Sequence, residues 1–120
     1  MSKLIALILT AAAAAVVVGD WIGPNESVLT RRENDRVMLS CTYETNYQYI
    51  DLYWYRQYPN SEPQFLLWKG AQSNDRSHIP DARFDSSTST TSTELIIKAA
   101  DPSDSALYYC AMENTMIQKF

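Results

Sequence analysis

The chain has 120 residues, of which 46% are hydrophobic, so it is long enough for one globular domain and too short for two. Its formal charge of −4 at pH 7 excludes the basic composition that is typical of nucleic-acid-binding domains. Two cysteines and one histidine, His78, make neither a zinc-ligand set nor a recognisable catalytic triad. We interpret His78 as a surface loop residue and expect no enzyme, no metal and no cofactor.

The N-terminal segment, residues 1–19, is predicted to be a secretory signal peptide. Lys3 supplies a positive charge, the stretch Leu4–Val18 is apolar apart from one threonine, and Gly19 is a small residue suited to a cleavage site. The alternative is a membrane-spanning helix, which needs about 20 apolar residues. No second apolar stretch follows, so we expect a secreted chain that carries no membrane anchor of its own.

The rest of the chain contains short alternating segments separated by turn residues, a pattern typical of an all-β sandwich. The segment Arg32–Asp35 is predicted to be a tight turn, with Asn34 in the left-handed conformation. Val37, Leu39 and Cys41 then alternate with more polar residues, which predicts a strand whose cysteine faces the core.

Later strands are predicted around Leu52 and Trp54 and at Gln64–Trp68, and a proline-punctuated turn separates them. The segment Ser86–Thr93 is nearly all serine and threonine and has two interpretations. It is either a disordered mucin-like stretch or the exposed edge of a hairpin, and we favour the hairpin because the run lacks proline and leads directly into a strand. A corner at Ala99–Asp104 precedes the last clear strand.

Cys41 and Cys110 are the only cysteines of the chain. In a secreted protein two cysteines are expected to pair, whereas in the cytosol they would more often be free thiols. The bridge would close a loop of about 70 residues, which is worth on the order of 4 kcal/mol in the chain-entropy model.

The residues around these cysteines resemble an immunoglobulin variable domain. Trp54 follows Cys41 by 13 positions, and Cys110 ends the run Asp-Ser-Ala-Leu-Tyr-Tyr-Cys. In such domains the disulfide joins two facing sheets, the tryptophan packs on it, and the tyrosine two residues before the second cysteine, here Tyr108, bonds back to a corner. The resemblance implies an all-β, two-sheet Greek-key sandwich over residues 20–112.

More closely, the chain is similar to T-cell receptor variable regions of the alpha/delta type. The matching segments are WYRQ at 54–57, FLL at 65–67, RF at 83–84, STELII at 92–97 and DSALYYCA at 104–111. The resemblance implies an antigen-recognition domain that pairs with a beta- or gamma-type chain and binds peptide–MHC. It also implies a place on the extracellular face of the plasma membrane, with signalling subunits reached through constant and membrane parts.

The resemblance assigns roles to individual residues. Arg83 and Asp104 are expected to form an ion pair at the bottom of the sandwich. The chain-pairing interface is expected to be centred on Gln57, and its other members are Tyr55, Pro63, Leu67 and Tyr109.

Three loops are expected to meet at one end of the sandwich, at 45–51, at about 70–75 and after Ala111. Tyr47 and Tyr49 are candidate anchors, since tyrosine gives a large amphipathic contact at modest entropy cost. The alternative for Tyr49 is that it packs inward beside its strand. The full set of candidate ligand-contacting residues is Asn46, Tyr47, Gln48, Tyr49, Ala71, Gln72, Ser73, Asn74 and Met112.

The C-terminal residues depart from the pattern of a complete variable domain. Phe120 is not followed by Gly-x-Gly, so residues 113–120 are interpreted as a truncated third loop or a read-through tail of an unrearranged germline segment. The final strand is then expected to be missing, which would leave the strand before Cys110 with an unpaired edge. The alternative is an innate V-type receptor or adhesion domain that does not rearrange. Asn25, in Asn-Glu-Ser, is a candidate N-glycosylation site.

Overall fold

The computed structural model describes residues 4–11, 20–26 and 28–113 of the chain. They form ten β-strands, one short 3-10 helix and the turns between them. No helix within these ranges is long and apolar enough to cross a membrane. The strands are β1 Leu4–Ala11, β2 Trp21–Pro24, β3 Val28–Arg32, β4 Val37–Glu44, β5 Tyr49–Gln57, β6 Gln64–Gln72, β7 Ser77–His78, β8 Phe84–Thr88, β9 Ser92–Ile97 and β10 Ala106–Glu113, and the 3-10 helix is Pro102–Asp104.

The strands form two sheets, in the orders β3-β1-β10-β5-β6-β7 and β2-β4-β9-β8. Every pair is antiparallel except β1 with β10, which run parallel. The prediction of an all-β immunoglobulin variable-type sandwich is therefore confirmed.

The core between the sheets is built around the disulfide. Cys41 on β4 and Cys110 on β10 are both fully buried and bonded to each other, so the bridge links the two sheets. Trp54 on β5 is also fully buried, and its Nε1 donates a hydrogen bond to Thr93 Oγ1 on the opposite sheet at 3.1 Å. A buried indole N–H without an acceptor is energetically costly, and this hydrogen bond removes that cost for Trp54.

Two local predictions are confirmed, one from turn chemistry and one from the resemblance. Asn34 has a φ of 71°, the left-handed conformation expected for it. In the corner before β10, the 3-10 helix is capped by Asp101, and the hydroxyl of Tyr108 donates to the backbone oxygen of Asp104 at 2.7 Å. That bond closes the tyrosine corner implied by the resemblance.

The serine- and threonine-rich segment forms a folded hairpin. Its residues lie in β8 and β9 and in the turn between them, and β8 is an edge strand of its sheet. Ser86 is buried and its Oγ donates to the backbone oxygen of Glu94 at 2.7 Å, while Thr93 accepts the bond from Trp54. The hairpin interpretation is therefore confirmed over the disordered one.

The N-terminal segment departs from expectation, because Leu4–Ala11 is a strand inside the larger sheet. It lies along β10, the strand whose edge was predicted to be unpaired, so that prediction is wrong for this structure. The physical reason is that the segment pairs with a strand on each side, and its alternate residues Ile5, Leu7 and Leu9 point into the core, where they are at most 3% exposed. Cleavage of residues 1–19 as a signal peptide stays a prediction.

Candidate functional site

The first predicted ligand loop is shorter than expected. β5 begins at Tyr49, so the loop proper is 45–48, and Ile50 and Asp51 are buried within the strand. Asn46, Tyr47 and Gln48 are exposed, and the backbone N–H of Tyr47 donates to Thr45 Oγ1 at 3.2 Å. Tyr47 is thus exposed and Tyr49 is half-buried, and the role of each in ligand binding stays a prediction.

The second loop is also shorter, because β6 continues to Gln72. Gln72 has a φ of 62°, and its Nε2 donates to the backbone oxygen of Thr90 in the β8–β9 turn at 3.2 Å. The backbone N–H of Ser73 donates to the backbone oxygen of Gln48 at 2.6 Å. The first and second loops are therefore joined directly, and both belong to one surface.

Asn74 holds this loop end together from the inside. It is 4% exposed, and its Nδ2 donates to Ile50 O at 3.0 Å and to Asp51 Oδ1 at 2.5 Å. Its Oδ1 accepts the backbone N–H of Arg76 at 3.1 Å. Gly70 permits the close approach, since a Cβ there would overlap the Asn74 side chain.

The predicted contact residues of the second loop therefore divide into three groups. Ser73 is exposed and Gln72 is half-buried, while Ala71 and Asn74 are buried, so the side chains of these last two do not fit the contact role assigned to them. Met112 is half-buried in β10 and packs against the core. The third loop, beyond Glu113, lies outside the described residues.

Beneath the loop surface, burial and neighbouring charge shift the pKa values of Asp51 and Tyr53. Burial raises the pKa of Asp51, the hydrogen bond from Asn74 opposes this, and the nearby charge of Glu113 raises it further. Tyr53 donates its hydroxyl to Glu113 Oε1 at 3.1 Å, and burial followed by the Glu113 charge raises the pKa of that phenol.

Replacing Asp51 with asparagine is expected to flatten the pH dependence of stability. A raised pKa in the folded state means that the stability linked to Asp51 is full below the ordinary carboxyl pKa, 3.8, and is lost as pH rises through the folded value. The advantage of Asp51→Asn over the native chain should therefore grow from pH 4 upward. Urea unfolding between pH 3.5 and 8 measures it, with the exposed Asp75→Asn as the matched control. An equal pH slope in the Asp51 and Asp75 variants would contradict the assignment.

Gln57, the predicted centre of the pairing interface, is half-buried and bonded within its own chain. Its Oε1 accepts the hydroxyl of Tyr109 at 2.7 Å, and its Nε2 donates to the backbone oxygen of Ser61 at 2.9 Å. Gln57 and Tyr109 thus lie together as the resemblance implied.

Leu67 does not lie on that surface. The β5–β6 register shifts between Trp54 and Tyr55, so Leu67 is opposite Trp54 and Phe65 is opposite Tyr55. Both Leu66 and Leu67 are consequently buried, at 4% and 0% exposure, whereas Phe65 is 36% exposed. The prediction of Leu67 as an interface residue is wrong, because an irregularity in the ladder turns the side chain inward, and Phe65 takes the outward place.

Phe65 belongs to a group of rings on the outer side of the larger sheet, which we call the aromatic face. Neighbouring ring centroids are 5.9 to 6.3 Å apart, the spacing of stacked and edge-to-face pairs. Phe65 and His78 are exposed and the other rings half-buried. The members are Tyr53, Tyr55, Phe65, Trp68 and His78.

The sequence from residue 24 to 120 matches the family model described as the immunoglobulin V-set domain. The chain belongs to the immunoglobulin V-set family. Within it, the chain is 38% identical over 96 residues to the T-cell receptor alpha chain V region CTL-F3 of Mus musculus, covering 80% of this chain and 71% of that relative. It is 36% identical over 94 residues to the human T cell receptor alpha variable 9-1, covering 78% and 82% of the two chains.

A third relative is named for both the alpha and the delta receptor chain. The human T cell receptor alpha variable 14/delta variable 4 is 31% identical over 102 residues, covering 77% of this chain and 86% of that one. The chain is therefore a V-set domain homologous to T-cell receptor variable regions of the alpha/delta type.

The V-set domain carries its predicted ion pair at the end opposite the predicted ligand loops. Arg83 donates to both carboxylate oxygens of Asp104, at 3.1 and 2.7 Å, and these hydrogen bonds raise the pKa of Arg83. Arg56, which sequence reasoning missed, also donates to Asp104 Oδ1 at 3.2 Å. The pairing of Arg83 with Asp104 is thus present, within a three-residue cluster.

Two remaining features of the V-set domain concern chemistry at its surface. Asn25 is exposed, and its Oδ1 accepts the hydroxyl of Thr42. Among residues 4–11, 20–26 and 28–113, no group of three or more histidine, cysteine, aspartate or glutamate side chains is placed to hold a metal ion.

Proposed function

We propose that this chain is the antigen-recognition variable domain of a T-cell receptor alpha or delta chain, which binds peptide–MHC as a heterodimer with a beta- or gamma-type chain. The observation that carries the proposal is the 31–38% identity to alpha and alpha/delta variable regions over about four-fifths of the chain. Such a domain binds and does no covalent chemistry, so the chain is not an enzyme.

The loop surface supports ligand binding. Asn46, Tyr47, Gln48 and Ser73 are exposed side by side, because the Ser73–Gln48 backbone bond joins their loops. Beneath them, Asn74 fixes the loop bases. A binding surface held in one conformation loses less entropy when a ligand binds, so the buried network favours recognition by these loops.

The aromatic face supports chain pairing. Aromatic side chains are enriched in the cores of protein interfaces and supply most of the binding energy there. Next to the face, Gln57 and Tyr109 present a hydrogen-bonding pair. Pro63, another predicted interface residue, is exposed. A second variable domain covering this surface would bury the exposed side of Phe65.

Replacing Phe65 with serine is expected to weaken pairing with a beta-type variable domain about 10-fold or more, the size of effect that truncation of an interface anchor produces. The matched control is Met38→Ser, because Met38 is similarly exposed, 40% against 36%, but lies on the other sheet. Co-expressed domains would be compared by sedimentation equilibrium. Equal pairing by the two variants would show that the aromatic face is not the interface.

Processing and location follow from the same proposal. Residues 1–19 would be removed in the secretory pathway, Asn25 would carry a glycan, and the domain would lie on the extracellular face of the plasma membrane within a receptor complex that includes signalling subunits. N-terminal sequencing of the secreted protein should begin at Asp20. A glycosidase should shift the mobility of the native protein and leave an Asn25→Gln variant unchanged. An intact N-terminus would refute the leader assignment.

The function itself is tested by sequencing transcripts from sorted lymphocytes with a primer over the codons for Tyr55 to Gln57. We expect reads that continue past the Cys110 codon into varied junctions, then Phe-Gly-x-Gly and a constant region. One fixed ending in every transcript would exclude rearrangement. The chain would then be assigned to the alternative function, an innate V-type receptor or adhesion domain.

A further inference from the structure

We propose that the glycan of Asn25 packs against the indole of Trp21, on the outer face of the smaller sheet. The residues beneath it are Trp21, Gly23 and Asn25, which we call the glycan platform. The proposal rests on the glycosylation of Asn25 put forward above. It does not depend on antigen recognition or chain pairing, because the aromatic face lies on the other sheet.

All three members of the platform face outward. Ile22 is 7% exposed and belongs to the core, whereas its neighbour Trp21 is 43% exposed, and strand alternation places Gly23 on the same side as Trp21. Thr42, an outward residue of β4 that pairs with Gly23, donates its hydroxyl to Asn25 Oδ1. The side chain of Asn25 therefore lies over the outer face of the sheet.

The position of Asn25 is fixed, while the atom that carries a sugar is not used. The hydrogen bond from Thr42 engages Oδ1, whereas an N-linked glycan is attached to Nδ2. The backbone N–H of Asn25 donates to the backbone oxygen of Ser40 on β4 at 3.0 Å. Asn25 directly follows Pro24, the last residue of β2, and is exposed. The first sugar would thus start from a defined point at the edge of the sheet.

Trp21 offers a flat surface of fixed orientation. Its Nε1 donates to Glu44 Oε1 at 2.9 Å, which satisfies the only donor of the ring and restricts its rotation. One side of a sugar ring consists largely of C–H groups, and these pack on the negative π face of an aromatic ring. Because Trp21 is already held in place, it would lose little entropy when a sugar packs on it.

Gly23 leaves the path between the attachment point and the indole open. A Cβ added at Gly23 would meet no atom within 4 Å, so no protein group stands over this part of β2. Asn25 and Trp21 are four residues apart, which is about 13 Å along a strand at about 3.3 Å per residue. A glycan core of several sugars spans that distance.

Met38 is a second apolar side chain near Asn25 and provides a matched comparison. It is 40% exposed on the outer side of β4, two residues from Ser40, whose backbone oxygen binds Asn25. A thioether side chain is flexible and has no flat ring. We therefore place the glycan on Trp21, and a substitution at Met38 serves as the control.

The glycan would also cover an edge of the smaller sheet. β2 is an edge strand, since the order of that sheet is β2-β4-β9-β8. Exposed edge strands are templates for pairing with other chains, and proteins protect them by covering them. Carbohydrate that lies along β2 would block the approach of another strand.

A double-mutant cycle on the secreted protein tests the contact. Ser27→Ala removes the sequon and keeps Asn25 with its bond to Thr42, while Trp21→Ser removes the indole. Ser27→Ala should lower the equilibrium constant for folding, measured in urea, at least about 2-fold in the native chain, the lower end for groups in contact. In the Trp21→Ser chain it should have no effect, and in a Met38→Ser chain its effect should match that in the native chain.

The outcomes separate the glycan from its packing. Mass spectrometry of the secreted protein establishes whether Asn25 is occupied, and an unoccupied site would refute the glycan itself. An occupied site with the same effect of Ser27→Ala in the native and Trp21→Ser chains would overturn only the packing on Trp21. Loss of the effect in the Met38→Ser chain alone would place the glycan on Met38 and equally overturn the proposal.

Hydroxyl-radical footprinting tests the packing with Trp21 intact. The glycosylated protein and its Ser27→Ala variant would be compared by the rate at which each tryptophan is oxidised. We expect slower oxidation of Trp21 in the glycosylated protein and equal oxidation of Trp68, which lies on the larger sheet. Equal rates at Trp21 would overturn the proposal, and this result does not require that the Trp21→Ser chain folds.

Discussion

Replacing Cys41 and Cys110 together with alanine is expected to lower the free energy of unfolding by about 4 kcal/mol. The bridge joins residues separated by 69 positions, and a cross-link over a loop of that length restricts the unfolded chain strongly. Both sulfurs are fully buried between the sheets, so their removal also weakens packing around Trp54. With a stability typical of single domains, 5–15 kcal/mol, the loss would leave a marginal fold.

Equilibrium unfolding in urea measures this effect. The double alanine variant and the reduced native chain should have similarly lowered midpoints, because both lose the same covalent constraint. Thr93→Ala serves as a control that removes the hydrogen bond to the Trp54 indole and leaves the bridge intact, and its cost should be about 1–3 kcal/mol. A loss below about 1 kcal/mol for the double variant would mean that the sheets hold together without the bridge.

The alternation of apolar and more polar residues made the central strands predictable from the sequence. In β4, Val37, Leu39 and Cys41 are fully buried while Met38 is 40% exposed, as the period of two predicts for a strand covered on one side. The tight turn at Asn34 was equally readable, because few residues accept a positive φ. The disulfide followed from the two cysteines of a predicted secreted chain as well as from the family resemblance, whereas the tyrosine corner and the ion pair came from the resemblance alone. The structure contains each of them.

The register of β6 was not readable from its sequence. Phe65 to Trp68 are four consecutive apolar residues, so alternation does not indicate which of the first three points outward. The irregularity opposite Trp54 and Tyr55 decides the matter, and it depends on packing against β5. The role of Asn74 was hidden for a similar reason, since a polar residue in a polar loop gives no sign that its amide is buried.

The N-terminal strand shows a different limit. An apolar run of this kind is compatible with a signal peptide, a membrane helix or a buried strand, and periodicity within it separates these poorly. What determines the strand here is tertiary: the edges of β3 and β10 face each other across one strand width and accept Ile5, Leu7 and Leu9 into the core. The positions of these two edges depend on residues that are distant from Leu4–Ala11 in the sequence.

Replacing Asp104 with alanine is expected to cost about 3 kcal/mol of stability, near the lower end of the range for breaking a buried ion pair from one side. Its carboxylate is 0% exposed and accepts hydrogen bonds from Arg83, from Arg56 and from the backbone N–H of Asp101. Removing it leaves Arg56, at 12% side-chain exposure, without this partner. Arg83 is 43% exposed and regains water, which keeps the cost from being larger.

Arg83→Ala should cost less, about 1 kcal/mol, because Arg56 still neutralises the buried carboxylate. The order of the two effects is the informative result, since a simple surface pair would lose the same energy from either side. Thermal and urea unfolding of both variants would be compared with Asp75→Ala, an exposed carboxylate whose removal should change stability by less than about 0.5 kcal/mol. If Arg83→Ala proved as costly as Asp104→Ala, Arg56 would not share the charge, and the three-residue cluster would reduce to the single pair that the sequence predicted.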